Sequence, residues 1–227
     1  TNLGAVPCKK VLFVGDTHHM FQPIQRMCDY AAKNAYDLYN LAAKKNHLHF
    51  FYERMPGKRF ALFPAFLPRF EKNEFIDKKE AQVTLVGQVG KFHPYRLHII
   101  NAIRNNKFPL NITTGRQDYV AQLYSRSLIN LNISLNSEIN MRFFEVPATG
   151  GFLLTDRMSP LNGYDLWFKE GRDFVFYEDA NDLCDKIAYY LRNPEEAIQI
   201  GKNAFETYHK YWSIAKRRKM FFDLVEG

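Results

Sequence analysis

A chain of 227 residues with 46% hydrophobic and 15% aromatic content holds enough apolar surface for one large domain or two smaller ones, which excludes an intrinsically disordered protein. Its formal charge of +7 and sequence pI near 9.2 favour anionic partners such as nucleotides, phosphates, nucleic acid or an acidic membrane surface. Cys8, Cys28 and Cys184 have neither C-x-x-C spacing nor an even count, which argues against a disulfide framework or structural zinc and for a reducing, cytoplasmic setting.

No apolar run approaches the ~20 residues that span a bilayer, and no signal peptide is visible. The chain starts at Thr1 rather than Met and runs almost at once into a strand-like segment, so a fragment or trimmed chain is expected. In chain order, residues 9–15 form a short apolar run that empties into the polar Gly15-Asp16-Thr17-His18-His19, the pattern of a buried strand and its loop. Residues 23–33 read as helix, and residues 37–41 and 47–52 as two further strands. The Pro-marked, charged and aperiodic residues 64–79 carry the hinge, so the expected units are 1–75 and 76–227.

From Ala81 the alternation becomes regular. A strand at 83–86 runs into Gly87-Gln88-Val89-Gly90-Lys91, and a helix over 94–105 places Leu97, Ile100 and Ile103 on one face. Further strands fall at 110–114, 128–133, 151–155 and 174–177, with a helical turn at 119–125 and a helix over 181–192. A terminal helical pair completes the chain. Strands alternating with helices predict an α/β fold, a Rossmann-like parallel sheet covered on both faces, with a short amino-terminal α/β part.

Residues 140–156 carry the most chemistry. Arg142 and Glu145 are three positions apart and share one helix face, with Met141, Phe144 and Ala148 on the other. Either they form a surface ion pair, or they serve as a cation for phosphate and a carboxylate for sugar hydroxyls. Pro147 demands a late start or a kink in this helix. Gly150-Gly151 allows the reversal from helix into strand.

Taken together, these residues resemble the carboxyl-terminal nucleotide-sugar-binding domain of GT-B glycosyltransferases, most closely the spore-maturation CgeB-like group with its "glycosyl transferases group 1" domain. The shared pattern is the strand ending Leu85-Val86-Gly87, Arg96 opening the next helix, and Tyr-Ser-Arg-Ser-Leu-Ile-Asn-Leu-Asn at 124–132. It continues through Asn140-x-Arg142-x-Phe144-Glu145, Gly150-Gly151 with Leu-Leu-Thr-Asp, and Val175-x-Tyr177-x-Asp179. Gly15-Asp16-Thr17-His18 matches an element at the end of an amino-domain strand. Two departures stand out. Only about 75 residues precede the hinge, and Glu138 and Glu145 are seven positions apart where related retaining enzymes have a spacing of eight.

The resemblance implies transfer of a sugar from a nucleotide-sugar to a hydroxyl-bearing acceptor, such as a glycan or polysaccharide precursor. A diphosphate leaving group requires fixed positive potential. The implied contacts are Gly87, Lys91, Arg96, Asn140 and Arg142, with Gly115 near the base, Glu145 on the ribose hydroxyls, and the backbone of Gly150 and Gly151 lining the donor. No D-x-D motif is present, so neither a metal nor a further cofactor is expected. Asp16 and His18 are the implied catalytic residues: a general base in an inverting enzyme, or contacts to sugar and acceptor in a retaining one. A capped turn with solvated histidines is the plain alternative. The basic run Lys216-Arg217-Arg218-Lys219 reads as a solvated helix face, or as a contact to a membrane surface or partner. The chain carries no recognisable nucleic-acid motif. A nucleotide- or glycan-binding module without transferase activity is the other reading, supported by the short amino-terminal part.

Overall fold

The computed structural model describes residues 3–15, 17, 21–41, 45–63, 70–90, 93–134 and 137–227. It divides into two compact units. One is formed by residues 1–66, 161–163 and 217–227, the other by residues 67–160 and 164–216.

In the smaller unit, β1 (Val11–Phe13), β2 (Leu38–Asn40) and β3 (Phe60–Ala61) form a parallel sheet in that order. The helices α1 (Pro23–Ala32) and α2 (Leu48–Arg54) connect them. The segment read as a strand at 47–52 is therefore helical. Phe51 and Met55 are buried, with Leu48 packed beside them, while Tyr52 is exposed. Burial at a spacing of three to four residues selects the helix over the strand propensity of a His-Phe-Tyr run. Asn40, wholly buried, takes both main-chain groups of Phe63: Nδ2 donates to its carbonyl at 2.8 Å and Oδ1 accepts its N–H at 2.7 Å. The chain's last residues belong to this unit. Phe221 packs at an inclination against Phe13 and Phe63, and Arg59 donates to the Leu224 carbonyl.

The larger unit holds β4 (Glu80–Val86), α3 (Pro94–Asn105), β5 (Leu110–Thr113), α4 (Gln117–Arg126), β6 (Ser127–Asn132), α5 (Arg142–Ala148), β7 (Leu153–Asp156) and β8 (Val175–Tyr177). After them come α6 (Ala180–Arg192), α7 (Pro194–Thr207) and, beginning in this unit, α8 (Ile214–Glu226). All the strand pairs are parallel, in the order β5-β4-β6-β7-β8. Right-handed crossovers put α3 on one face of the sheet and α4 and α5 on the other. α6 packs with α3, and α7 with α5. Buried Val83, Leu85, Ile99, Ile100, Ile103, Ile129, Leu131 and Leu154 form the core between the sheet and its cover.

Strand order reverses at β4, since the chain leaves it outward to β5 and returns past it to β6. In open α/β sheets ligands gather beyond the strand carboxyl ends at such a reversal. On the opposite edge, Lys79 is half-buried and donates to the carbonyls of Ser125, at the end of α4, and Gly150, just after α5, at 2.7 and 2.8 Å. Both tryptophans of the chain lie in this unit. Trp212, which ends a π-helical turn over Tyr208–Trp212, donates its indole N–H to the Trp167 carbonyl, with the rings 4.8 Å apart and steeply inclined.

Two further sequence expectations need correction. On α3 the buried face is Arg96, Ile99, Ile100 and Ile103, whereas Leu97 is exposed. Arg96 takes the inward position that the apolar pattern assigned to Leu97. In the basic run, Lys216, Arg218 and Lys219 face outward, but Arg217 is only 2% exposed. Four consecutive helical residues cannot share one face, so the run is not a continuous cationic patch. No helix among the described residues is long and apolar enough to cross a membrane.

Candidate active site

The strand reversal brings Gly87, Arg96, Asn140 and Arg142 together. Gly87 follows β4 with φ +151°, and its N–H donates to the Thr113 carbonyl at 2.9 Å. A Cβ there would stand 3.0 Å from Arg142 Nη1 and 3.8 Å from Arg96 Nη1. Glycine is therefore required both by the backbone and by the guanidinium lying over it.

The two arginines clamp the loops that follow β4 and β6. Arg96 donates to the Gln88 carbonyl at 2.6 Å and the Ile133 carbonyl at 2.9 Å. Arg142 donates through Nη1 to the Val86 carbonyl at 2.6 Å, through Nε to Asn132 Oδ1 at 2.6 Å and, at 3.5 Å, through Nη2 to the Ile133 carbonyl. Arg96 is buried and its Nε has no partner among the described residues. Burial, followed by the charge of Arg142, pulls its pKa down. Two guanidinium groups this close raise the local positive potential, and an anion bound beside them would relieve their repulsion.

A buried polar network holds these groups from beneath. Asn132 Oδ1 accepts from Asn140 Nδ2 at 2.9 Å as well as from Arg142, and Asn132 Nδ2 donates to Thr155 Oγ1 at 3.0 Å. Asn140 Oδ1 in turn accepts the Arg142 N–H at 3.1 Å, securing the start of α5. Asp156, at the end of β7, accepts from Ser134 N–H at 2.9 Å and Ser134 Oγ at 2.6 Å. Burial raises its pKa, and these hydrogen bonds oppose the rise.

Glu145 lies one helical turn beyond Arg142 and is half-buried. Beside it is Tyr124 of α4, a 1%-exposed phenol that hydrogen-bonds to Glu145. Burial and the Glu145 charge raise the Tyr124 pKa. The Arg142 guanidinium thus reaches down onto the strand ends, while Glu145 sits against α4. Pro147 falls inside α5, which starts only at Arg142, so the helix is too short for the proline to break more than one intrahelical bond.

Among the described residues, the other predicted ones divide between the two edges of the sheet. Gly115 is exposed just past β5, where a Cβ would stand 2.8 Å from the Tyr119 ring. Gly150 and Gly151 precede β7, so they sit on the amino-terminal edge, across the sheet from Gly87. Gly150 has φ +74° and is pressed against Phe75, and a Cβ at Gly151 would stand 2.5 Å from Asn130 Nδ2 and 2.8 Å from the Tyr124 carbonyl. Their contacts are with the core rather than with the arginine cluster. Lys91, Asp16 and His18 lie outside the described residues. Between the last two, Thr17 is buried with its hydroxyl 2.5 Å from His47 Nδ1, in the smaller unit.

Sequence reasoning missed Asn132, Ser134, Thr155, Asp156, Tyr124 and His47. A signal existed for two of them: Asn132 and Asp156 are polar residues closing apolar strands at the carboxyl ends, where ligand-facing groups of α/β sheets collect.

The family model described as "Glycosyl transferase-like" matches residues 72–223. No curated protein matches the chain. Among solved structures, HepE of Anabaena, in complex with UDP and glucose, aligns at a TM-score of 0.72 with 12% identity over 96% of this chain and 72% of its own. A variant of TarM of S. aureus, in complex with fondaparinux, alpha-GlcNAc-glycerol and UDP, aligns at 0.69 with 11% identity over 96% of this chain. This chain spans about half of TarM, 51% of its length. Sucrose-phosphate synthase of Thermosynechococcus elongatus aligns at 0.68 with 11% identity, over 98% of this chain and 68% of its own. With a family model matched across most of the larger unit and these folds alongside it, the chain belongs to the glycosyl transferase-like family and is built as a GT-B type α/β protein.

Proposed function

We propose that the chain binds a nucleotide-sugar in the larger unit and transfers the sugar to a hydroxyl-bearing acceptor, a glycan or polysaccharide precursor, as a member of the CgeB-like group. The observation that carries this reading is the pair Arg96 and Arg142 meeting over Gly87 where strand order reverses, with the Glu145 carboxylate one turn further along α5. Departure of a nucleoside diphosphate leaves negative charge on the outer phosphate. Guanidinium groups held in place by main-chain carbonyls stabilise that charge without reorganising. In this reading no metal is required, because the arginines and loop amides supply the positive potential. Glu145 accepts from the ribose hydroxyls, and Asp16 and His18 serve the acceptor side. The HepE and TarM structures that share this fold contain UDP, which makes UDP the first nucleotide to test. A reducing, cytoplasmic compartment fits the three unpaired cysteines.

The test is a thermal-shift screen against UDP, GDP, TDP and CDP, since a ligand that binds only the folded state raises the melting temperature. One nucleotide should stabilise the protein with magnesium or with a chelator alike, and Glu145→Ala should abolish the shift while Glu138→Ala leaves it. No shift with any of the four, or a shift indifferent to Glu145, refutes the donor assignment.

The alternative is a nucleotide- or glycan-binding module without transfer. Hydrolysis of the matching nucleotide-sugar, lost in Asp16→Asn or His18→Gln with nucleotide affinity retained, separates the enzyme from the inert module.

A further inference from the structure

Arg142 is held from two directions by one side chain. Its guanidinium Nε donates to Asn132 Oδ1, and its main-chain N–H donates to Asn140, whose amide donates to the same Asn132 oxygen. That oxygen uses both lone pairs. Asn132 is itself fixed, through Nδ2 to Thr155 Oγ1 at 3.0 Å and through its carbonyl, which accepts from Tyr177 Oη at 3.2 Å. It is wholly buried, so any ligand feels it only through Arg142 and Asn140.

The geometry of the guanidinium makes this support decisive. Arg142 has five N–H bonds. Besides Nε, they are anchored at the Val86 carbonyl at 2.6 Å and, at the long distance of 3.5 Å, at the Ile133 carbonyl. Without the Nε bond one short contact remains among the described residues, and the planar group can swing about it. Gly87 leaves room for the guanidinium over the main chain, since a Cβ there would stand 3.0 Å from Arg142 Nη1. A planar fork recognises a phosphate through paired N–H groups only while its plane is fixed.

We infer that Asn132 is a positioning residue for the donor diphosphate: it accepts from Arg142 Nε and Asn140 Nδ2 and so sets the plane in which Arg142 meets the phosphates. The inference rests on the proposed role of Arg142. It goes further by predicting that a buried strand residue with no ligand contact governs affinity for the phosphates and not for the nucleoside.

The experiment is isothermal titration of the whole chain with UDP and uridine, or with GDP and guanosine if the nucleotide screen selects that base. Asn132→Leu keeps the side-chain size and removes the acceptor. It should raise the Kd of the diphosphate about tenfold or more, the scale of a lost hydrogen bond to a charged group, and leave nucleoside affinity unchanged. Thr155→Val, which frees the Asn132 amide, should change the same ratio in the same direction by less. Equal weakening of both ligands, or of neither, overturns the inference. If Asn132→Leu does not fold, as judged by circular dichroism, Thr155→Val decides, and an unchanged ratio overturns the proposal. Arg142→Gln separates the two levels. If it leaves the diphosphate-to-nucleoside ratio intact, the phosphate role of Arg142 fails and the inference falls with it. If it collapses the ratio while Asn132→Leu does not, only the inference fails.

Discussion

Gly87 and Gly151 face the same substitution with different consequences. Alanine at Gly87 would strain a backbone at φ +151° and bring a methyl to 3.0 Å from Arg142 Nη1. Gly87→Ala should therefore cost about 1–3 kcal/mol in stability and also weaken nucleoside diphosphate binding, measured by denaturation and titration of the same sample. Gly151→Ala meets Asn130, the Tyr124 carbonyl and Val146 within 2.8 Å, on the far edge of the sheet. It should lower the melting temperature while the protein that remains folded binds nucleotide as before. The arginines of this site were legible in the sequence because Arg142 stands three residues from Glu145 in a recurring pattern, and Arg96 opens a helix. Asn132 and Asp156 stood in the shared pattern without a role, since a polar residue at the end of an apolar run looks like the end of a strand. Only the fold reveals which partners converge on it.

Element existence in the larger unit was readable almost throughout, because helices of ten or more residues repeat their apolar positions often enough to be unambiguous. The failure at α2 is of the opposite kind. Seven residues give two turns, and the aromatic content favours strand until Phe51 and Met55 are seen against α1. Helix ends carry a testable consequence at Lys79, which joins the carboxyl ends of α4 and α5. Burial depresses its pKa from the ordinary 10.5 to about 8. Between these values the unfolded chain retains a proton that the folded chain has released, so stability rises with pH across that window; below it both states are protonated and the cost of the buried ammonium is constant. Lys79→Met removes the titration. Urea denaturation at about pH 7.5 and about pH 10 should show the wild type gaining stability relative to the variant as pH rises. A constant difference would mean that the two carbonyl hydrogen bonds keep the ammonium protonated.

For the whole molecule, the least legible feature was the membership of the smaller unit. Proline and charge lead to the expectation of a hinge at residues 64–79, but the return of residues 217–227 to the first unit rests on long-range contacts from Phe221 and Leu224. Local periodicity carries no such information. Deleting residues 217–227 should uncover the buried Phe63 ring, expose Phe13 further and hasten proteolysis within residues 1–66, while the nucleotide-induced stabilisation proposed for the larger unit should persist. Loss of nucleotide binding on deletion would instead tie the donor site to that last segment.

The Trp167–Trp212 pair has a spectroscopic consequence. These are the chain's only indoles, and both lie in the larger unit, so selectively excited emission reports on that unit while the other stays dark. If emission and far-ultraviolet dichroism trace separate melting curves, the dichroism signal left over belongs to the three-stranded unit, and its stability can be read without adding a label.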